Sequence, residues 1–259
     1  MADSRTPGGR RYTSICILIL TSFLSGISAA QSDDDAFFEA IRAGDVETVA
    51  TLVGKTDDID QRAHGGRTAL MLLARAGYCD QVDRLLAMGA DPEASNDNGG
   101  TPLMFATVSG DSRCLAPLLD RDVDVNRRGI NGWGAAMIAS AKGYGEILSE
   151  LIAAGADINA RDVYLWTPLH RAAYENHHGV VERLLAAPGI SIDARDDRGA
   201  TALHHAASKG HASITESLLR GGARIDIEDF SGLTPAAYAR AQGHGDLARF
   251  IEGAQGEKD

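Results

Sequence analysis

The sequence predicts an all-α solenoid: about seven helix–turn–helix units stacked side by side, each with a projecting β-turn finger. Three observations carry that expectation. Thr-x-Leu or Thr-Pro tetrapeptides recur at Thr68, Thr101, Thr167, Thr201 and Thr234, with Gly134 in the gap, so the spacings are 33, 33, 33, 34 and 33 residues. Nine residues after each lead stand Gly77, Gly110, Gly143, Asn176, Gly210 and Gly243. Farther on, apolar pairs follow in register: Leu85-Leu86, Leu118-Leu119, Leu151-Ile152, Leu184-Leu185 and Leu218-Leu219. A period this regular means one supersecondary unit repeated, because a single pair of short helices cannot bury its apolar faces alone.

Each element follows from local chemistry. Thr167 is a good helix N-cap, and Pro168 suits the first helical position, where its missing N–H is not needed. Leu169, Ala172 and Ala173 make a face of small apolar residues that lets neighbouring helices approach. The glycine nine residues on ends that helix in a left-handed turn, and Asn176 is the next best residue for this conformation. Val180, Val181, Leu184 and Leu185 give the second helix its helical spacing. Gly-Ala-Asp and a polar stretch then turn the chain sideways into a finger. Extrapolation backwards puts a first unit at Asp35, where Phe37, Phe38 and Ile41 supply apolar bulk. Phe250 and Ile251, beside charged Arg249 and Glu252, suit a last unit that meets water on one side.

Some units depart from the pattern. Gly134-Ala135-Ala136-Met137 lacks Thr, Pro and His and should be the loosest. One extra residue near Pro188-Gly189 lengthens a turn. Pro117 falls inside an expected second helix and should bend it or shift its start.

Thr-Pro-Leu-His-x-Ala at this period, with Gly-His and Leu-Leu-x-x-Gly-Ala-Asp following, resembles the ankyrin repeat. The resemblance covers residues 34–253 and implies one ankyrin repeat domain with a concave face of first helices and fingers. It also implies binding of another protein rather than catalysis. It gives His170 and His204 a structural role, hydrogen bonding between neighbouring repeats.

Residues 1–30 lie outside the array. Arg5, Arg10 and Arg11 precede the apolar run Ile15–Leu24, which is too short to span a bilayer comfortably, and Ser28-Ala29-Ala30 offers a cleavage site. This reads as a secretory signal peptide, followed by a linker at 31–33, the repeat domain at 34–253 and a polar tail at 254–259. The expectation is a periplasmic or secreted protein. The whole chain of 259 residues carries a net charge of −11. Cleavage would remove three arginines and one aspartate and leave about −13. Such acidity speaks against a nucleic-acid partner and against an anionic membrane surface. A monomer is expected.

Cys79 and Cys114 would remain, in adjacent repeats. An oxidising compartment permits a bridge. Regular helices stack roughly 10 Å apart, however, and bridged Cα atoms need to lie within about 7 Å. Two buried free thiols are therefore expected.

Chemistry finds little purchase. His177, His211 and His244 sit one residue after the turn position, in register, and His64, His178 and His205 make no ligand set. No metal or cofactor is expected, and no nucleophile elbow or phosphate loop occurs. Paired carboxylates such as Asp57-Asp58 and Asp196-Asp197 fall in the turn register and are expected to be solvated. The aromatic residues are more informative. Trp133 and Trp166 stand one residue before the lead in consecutive repeats. Ile130, Val163, Tyr164 and Leu165 surround them, Tyr174 follows on the concave side, and Phe230 and Leu233 recur later. Leu165 occupies a position where Gly66, Gly99, Gly132, Gly199 and Gly232 stand elsewhere, so either the finger is reshaped or side-chain surface is wanted. Exposed apolar patches mark partner sites, and Trp and Tyr dominate binding energies. The expected contact centre is Trp133, Tyr164, Leu165, Trp166, Tyr174 and Phe230, rimmed by Lys142, Glu175 and Lys209. The function expected is a non-catalytic protein-binding scaffold outside the cytoplasm. Two alternatives stand: an exported effector acting on another cell's proteins, and an oxidative-stress accessory using Cys79 and Cys114.

Overall fold

A computed structural model describes residues 64–254, together with Thr48, Ile59, Asp60 and Arg62. The signal segment at 1–30, the linker and most of the first unit lie outside the described residues, as do Asp57-Asp58 and tail residues 255–259.

Among the described residues six helix pairs follow one another. They are α1 (Ala69–Ala76) with α2 (Cys79–Ala87), α3 (Pro102–Ser109) with α4 (Ala116–Leu119), and α5 (Ala135–Lys142) with α6 (Gly145–Ala153). Then come α7 (Pro168–Tyr174) with α8 (His178–Ala186), α9 (Ala202–Lys209) with α10 (Ala212–Arg220), and α11 (Pro235–Ala241) with α12 (Gly245–Gly253). The first helices α1, α3, α5, α7, α9 and α11 pack in succession as an inner row, and α6, α8, α10 and α12 as an outer row. The fold is the all-α solenoid the periodicity predicts.

The caps are those the sequence implies. The hydroxyls of Thr68, Thr101, Thr167 and Thr234 accept the third amide of their helices, at 3.4, 3.5, 3.4 and 3.3 Å. Each such cap stabilises by about 1 kcal/mol. Gly134 has no side chain and offers none. The turn position is demanding twice over. Gly143 has φ +78°, and a Cβ there would lie 2.6 Å from the His177 ring of the next repeat. Asn176 takes the same left-handed conformation at φ 64°. Between the rows, Leu70, Leu169, Leu203, Val181, Leu184 and Leu218 are wholly buried and join one continuous core. Burying a leucine contributes roughly 1.5–3 kcal/mol, and here each burial depends on a neighbouring unit.

The fingers form a second interlocked edge. Ile130 N–H donates to Asn98 O (2.9 Å), Val163 to Asn131 O (3.2 Å), Asp197 to Tyr164 O (3.1 Å) and Phe230 to Arg198 O (2.8 Å). One backbone bond thus ties each finger tip to the one before it.

The unit of α3 and α4 departs from the rest as Pro117 predicts. Its outer element is a 3₁₀ turn, Ser112–Cys114, followed by the short α4 with Pro117 in its first turn. The expectation of two free thiols fails here. Cys79 and Cys114 are bridged, with Cα atoms 4.5 Å apart. The distance between regular helix axes does not apply, because Cys79 opens α2 and Cys114 lies in the 3₁₀ turn rather than in a helix. The bridge is buried: Cys114 is 0% exposed and Cys79 7%.

Candidate functional site

Aspartates five residues before the lead organise the fingers. Asp162 Oδ1 accepts the amides of Tyr164 and Trp166, both at 2.9 Å. Asp196 Oδ1 holds Arg198 and Ala200, and Asp229 Oδ1 holds Ser231 and Leu233, again all at 2.9 Å. The second oxygen of each takes a donor from the inner helix, four residues after the lead. Arg171 reaches Asp162, His205 Nε2 lies 2.9 Å from Asp196, and Tyr238 Oη donates to Asp229 at 2.7 Å. One carboxylate therefore locks finger to helix in three consecutive repeats. This corrects the expectation that Asp196 is solvated: its side chain is 1% exposed. Burial alone would favour its acid form. The hydrogen bond and charge of His205, with the amides of Arg198 and Ala200, outweigh that and hold its pKa below the usual carboxylate range. Asp229 is likewise held low against burial, mainly by the Leu233 amide and the Tyr238 hydroxyl. Tyr238 itself is pushed up by burial and by that carboxylate.

An aromatic stack grows from the first of these locks. The Arg171 guanidinium lies between two indoles, 4.9 Å from the Trp133 ring centroid and 4.3 Å from that of Trp166. Trp133 Nε1 donates to Asp162 at 3.3 Å. Trp166 continues the stack to His205 at 4.3 Å and to Tyr174, edge-on, at 5.4 Å. Lys209 Nζ sits 4.1 Å from the Tyr174 centroid. Such cation–π contacts contribute roughly 0.5–2 kcal/mol each, more as water is excluded.

The stack divides the expected contact centre. Trp133 is only 4% exposed, packed among Met104, Met137, Ile138 and Ala141, so its place as a contact residue is corrected. The Asp162–Arg171 pair draws its indole inward and removes its ring from any partner. Trp166 and Tyr174 are half-buried and hold the fourth and fifth repeats together. Lys142 is half-buried, Glu175 exposed, and Lys209 is engaged with Tyr174. The surface left outward is at the finger tips: Ile130 (73% exposed), Val163 (58%), Tyr164 and Leu165 (41% each) and Phe230 (74%). The Phe230 ring has the Arg195 guanidinium 5.3 Å away.

Leu165 decides between the two readings of its finger. Its φ is +59°, beside values of 72–80° for the glycines of the same column. The finger is not reshaped. A branched apolar residue is instead held in the left-handed conformation, which costs an L-residue about 1–2 kcal/mol.

Four of the histidines in register, His170, His204, His177 and His211, bond between neighbouring repeats as that register implies. His170 Nε2 donates to Ala200 O at 3.2 Å and His204 Nε2 to Leu233 O at 3.0 Å, while each Nδ1 accepts the amide of its own capping Thr. Both rings are thereby neutral. Burial, reinforced by neighbouring His205, pushes the His170 pKa down to about 3 and that of His204 to about 4. His177 and His211 bridge repeats in the same way, to Ala141 O at 3.1 Å and Tyr174 O at 3.2 Å. Among the described residues no three potential ligands gather in a metal-binding cluster.

Sequence reasoning missed Arg171 and the finger aspartates. The available signal was a carboxylate five before the lead, paired with a donor four after it, in three successive repeats.

A helical solenoid whose capped inner helices and carboxylate-locked fingers repeat at one period defines the ankyrin class. A model of ankyrin repeats in three copies matches residues 37–129 and 114–196, and one of ankyrin repeats in many copies matches 189–239. The chain belongs to the ankyrin repeat family. Its first match begins inside the unit extrapolated to Asp35. Among solved structures the chain is similar to the crystal structure of the human ASB11 ankyrin repeat domain. The TM-score is 0.72 at 23% identity, over 86% of this chain and 99% of that one, a likeness of fold. A comparison with curated proteins returned no match.

Proposed function

We propose that this chain is a non-catalytic scaffold that holds another protein on its finger tips, acting outside the cytoplasm as a monomer. Ankyrin repeats generally mediate protein–protein interaction, and the family gives this chain that coarse role. One observation carries the finer reading. Leu165 keeps an exposed apolar side chain in a conformation that costs free energy and that glycine supplies elsewhere in the column. Val163 and Tyr164 stand exposed beside it. Strain retained to present an exposed apolar side chain points to use.

A photo-crosslinking residue at position 164 tests the reading in the native compartment. It should trap one protein, whereas the same residue at Ser213, exposed on the outer row, should not. Equal trapping from both positions, or from neither, refutes the finger-tip site.

The extracytoplasmic assignment rests on the N-terminal segment and is supported by the Cys79–Cys114 bridge, since disulfides persist in oxidising compartments. Cell fractionation checks it. A redox role would need accessible thiols, and this bridge is buried.

A further inference from the structure

The cations of this acidic chain are not spread evenly over its fingers. The finger before Thr101 carries Asp91, Glu93 and Asp97 and no cation, and the finger before Thr234 carries Asp226, Glu228 and Asp229 with one cation, Arg224, paired to Asp226. Between the fingers before Gly134 and Thr167 lies a cleft of about 520 Å³, lined by Arg127, Arg128 and Arg161, with Ile130 and Val163 at its edges. All three arginines are exposed. Arg128 donates to the Arg161 carbonyl at 3.2 Å, and Arg161 weakly to the Arg195 carbonyl at 3.5 Å, so these contacts orient the guanidiniums without neutralising them. Among the described residues none of the three is in an ion pair with a carboxylate. Two carboxylates reach the cleft. Asp162 is saturated by Arg171, Trp133 and two amides, and Asp124 already accepts the Asn126 amide. The result is a positive, apolar-edged groove on a protein of net charge −11.

We propose that this cleft takes an extended acidic segment of the partner protein, its carboxylates against Arg127, Arg128 and Arg161 and an apolar side chain over Ile130 and Val163. This deepens the scaffold reading and rests on it. Arginine suits carboxylates because its planar fork donates two parallel bonds. The repeat spacing of roughly 10 Å matches three extended residues at about 3.3 Å each. A nucleic acid fits less well. It is a long polyanion and would meet the acidic remainder of the chain, whereas the field of a short segment is screened within about 10 Å at 0.1 M salt.

The test is fluorescence anisotropy on the full mature chain, with a labelled peptide of repeated Glu-Glu-Leu triplets. Controls of Lys-Lys-Leu and Glu-Glu-Ser triplets and a single-stranded oligonucleotide of equal charge are run beside it. The Glu-Glu-Leu peptide should bind at least tenfold tighter than each control. Arg127→Gln with Arg161→Gln should weaken it roughly fivefold to tenfold while leaving the circular dichroism unchanged. Arg127→Glu with Arg161→Glu should turn the preference toward Lys-Lys-Leu, a reversal that loss of folding would not produce. Binding of the oligonucleotide or of Glu-Glu-Ser as tightly as Glu-Glu-Leu overturns the proposal. So does a preference unmoved by charge reversal. If the peptides fail while crosslinking from position 164 still traps a protein, the acidic-segment inference falls and the scaffold reading survives.

Discussion

Removing the Cys79–Cys114 bridge should loosen the N-terminal part of the array by an amount its topology sets. The two cysteines are 35 residues apart. In the chain-entropy model, closing a loop of that size removes about 4 kcal/mol of denatured-state freedom at 25 °C. The loop contains α2, α3 and the interface between two repeats, so its loss acts on nearest-neighbour coupling rather than on one helix. For a chain of this size, about 4 kcal/mol corresponds to a fall in Tm of roughly 8–16 °C. The assay is thermal unfolding by circular dichroism on three samples: oxidised protein, the same protein with reductant, and Cys79→Ala with Cys114→Ala. The reduced and double-mutant proteins should melt together, well below the oxidised one. Agreement between them separates the covalent link from any small cavity the substitutions leave. Alkylation under denaturing conditions should label no thiol at Cys79 or Cys114 in the oxidised sample. Labelling of both, or a Tm shift below about 2 °C, refutes the reasoning.

Other expectations follow from the site. Leu165→Gly should raise stability by up to about 1.5 kcal/mol in denaturant unfolding, since it relieves a left-handed L-residue at about 1–2 kcal/mol and gives back roughly 0.5–1 through glycine's entropy. A clear loss of stability would show that the side chain packs rather than waits for a partner. Arg171→Ala leaves Asp162 buried beside two indoles without its counter-ion, and should cost about 3–5 kcal/mol; a loss under 1 kcal/mol would undo the claim that this pair locks the finger. The pKa values of His170 and His204 are lowered to about 3 and about 4 in the folded state, so the unfolded chain binds more protons below its own value near 6.5. Their contribution is complete above that value and is lost as pH falls from about 6.5 toward 4 and 3. Stability measured across that window should drop by up to about 1.4 kcal/mol per pH unit for each ring, and a flat profile would contradict neutral buried imidazoles.

The strained Leu165 and the bridged cysteines show how near the sequence comes to the site. Leu165 breaks a glycine column, so its position was visible without coordinates, and so was the choice between reshaping and exposed surface. Which of the two occurs depends on whether the finger keeps its backbone, and that is held by Asp162 and by a bond to the neighbouring tip. For Cys79 and Cys114 the register was right and the distance wrong, because it was taken from helix axes that the 3₁₀ turn before Pro117 does not follow.

Trp133 makes the same point from the other side. Its place one residue before the lead marked it as a finger aromatic, and its burial followed only from an aspartate and an arginine of the next repeat. What the sequence determined by itself is the period, the caps and turns, the order of the described units and the histidines that link them. Those depend on interactions within one unit or on identical neighbours, and repetition writes them out several times. What only the tertiary structure decided is which finger aromatics face inward, which carboxylates are buried and which cysteines meet. Those depend on side chains of different repeats brought within a few ångströms of one another, a lateral relation that no periodicity along the chain encodes.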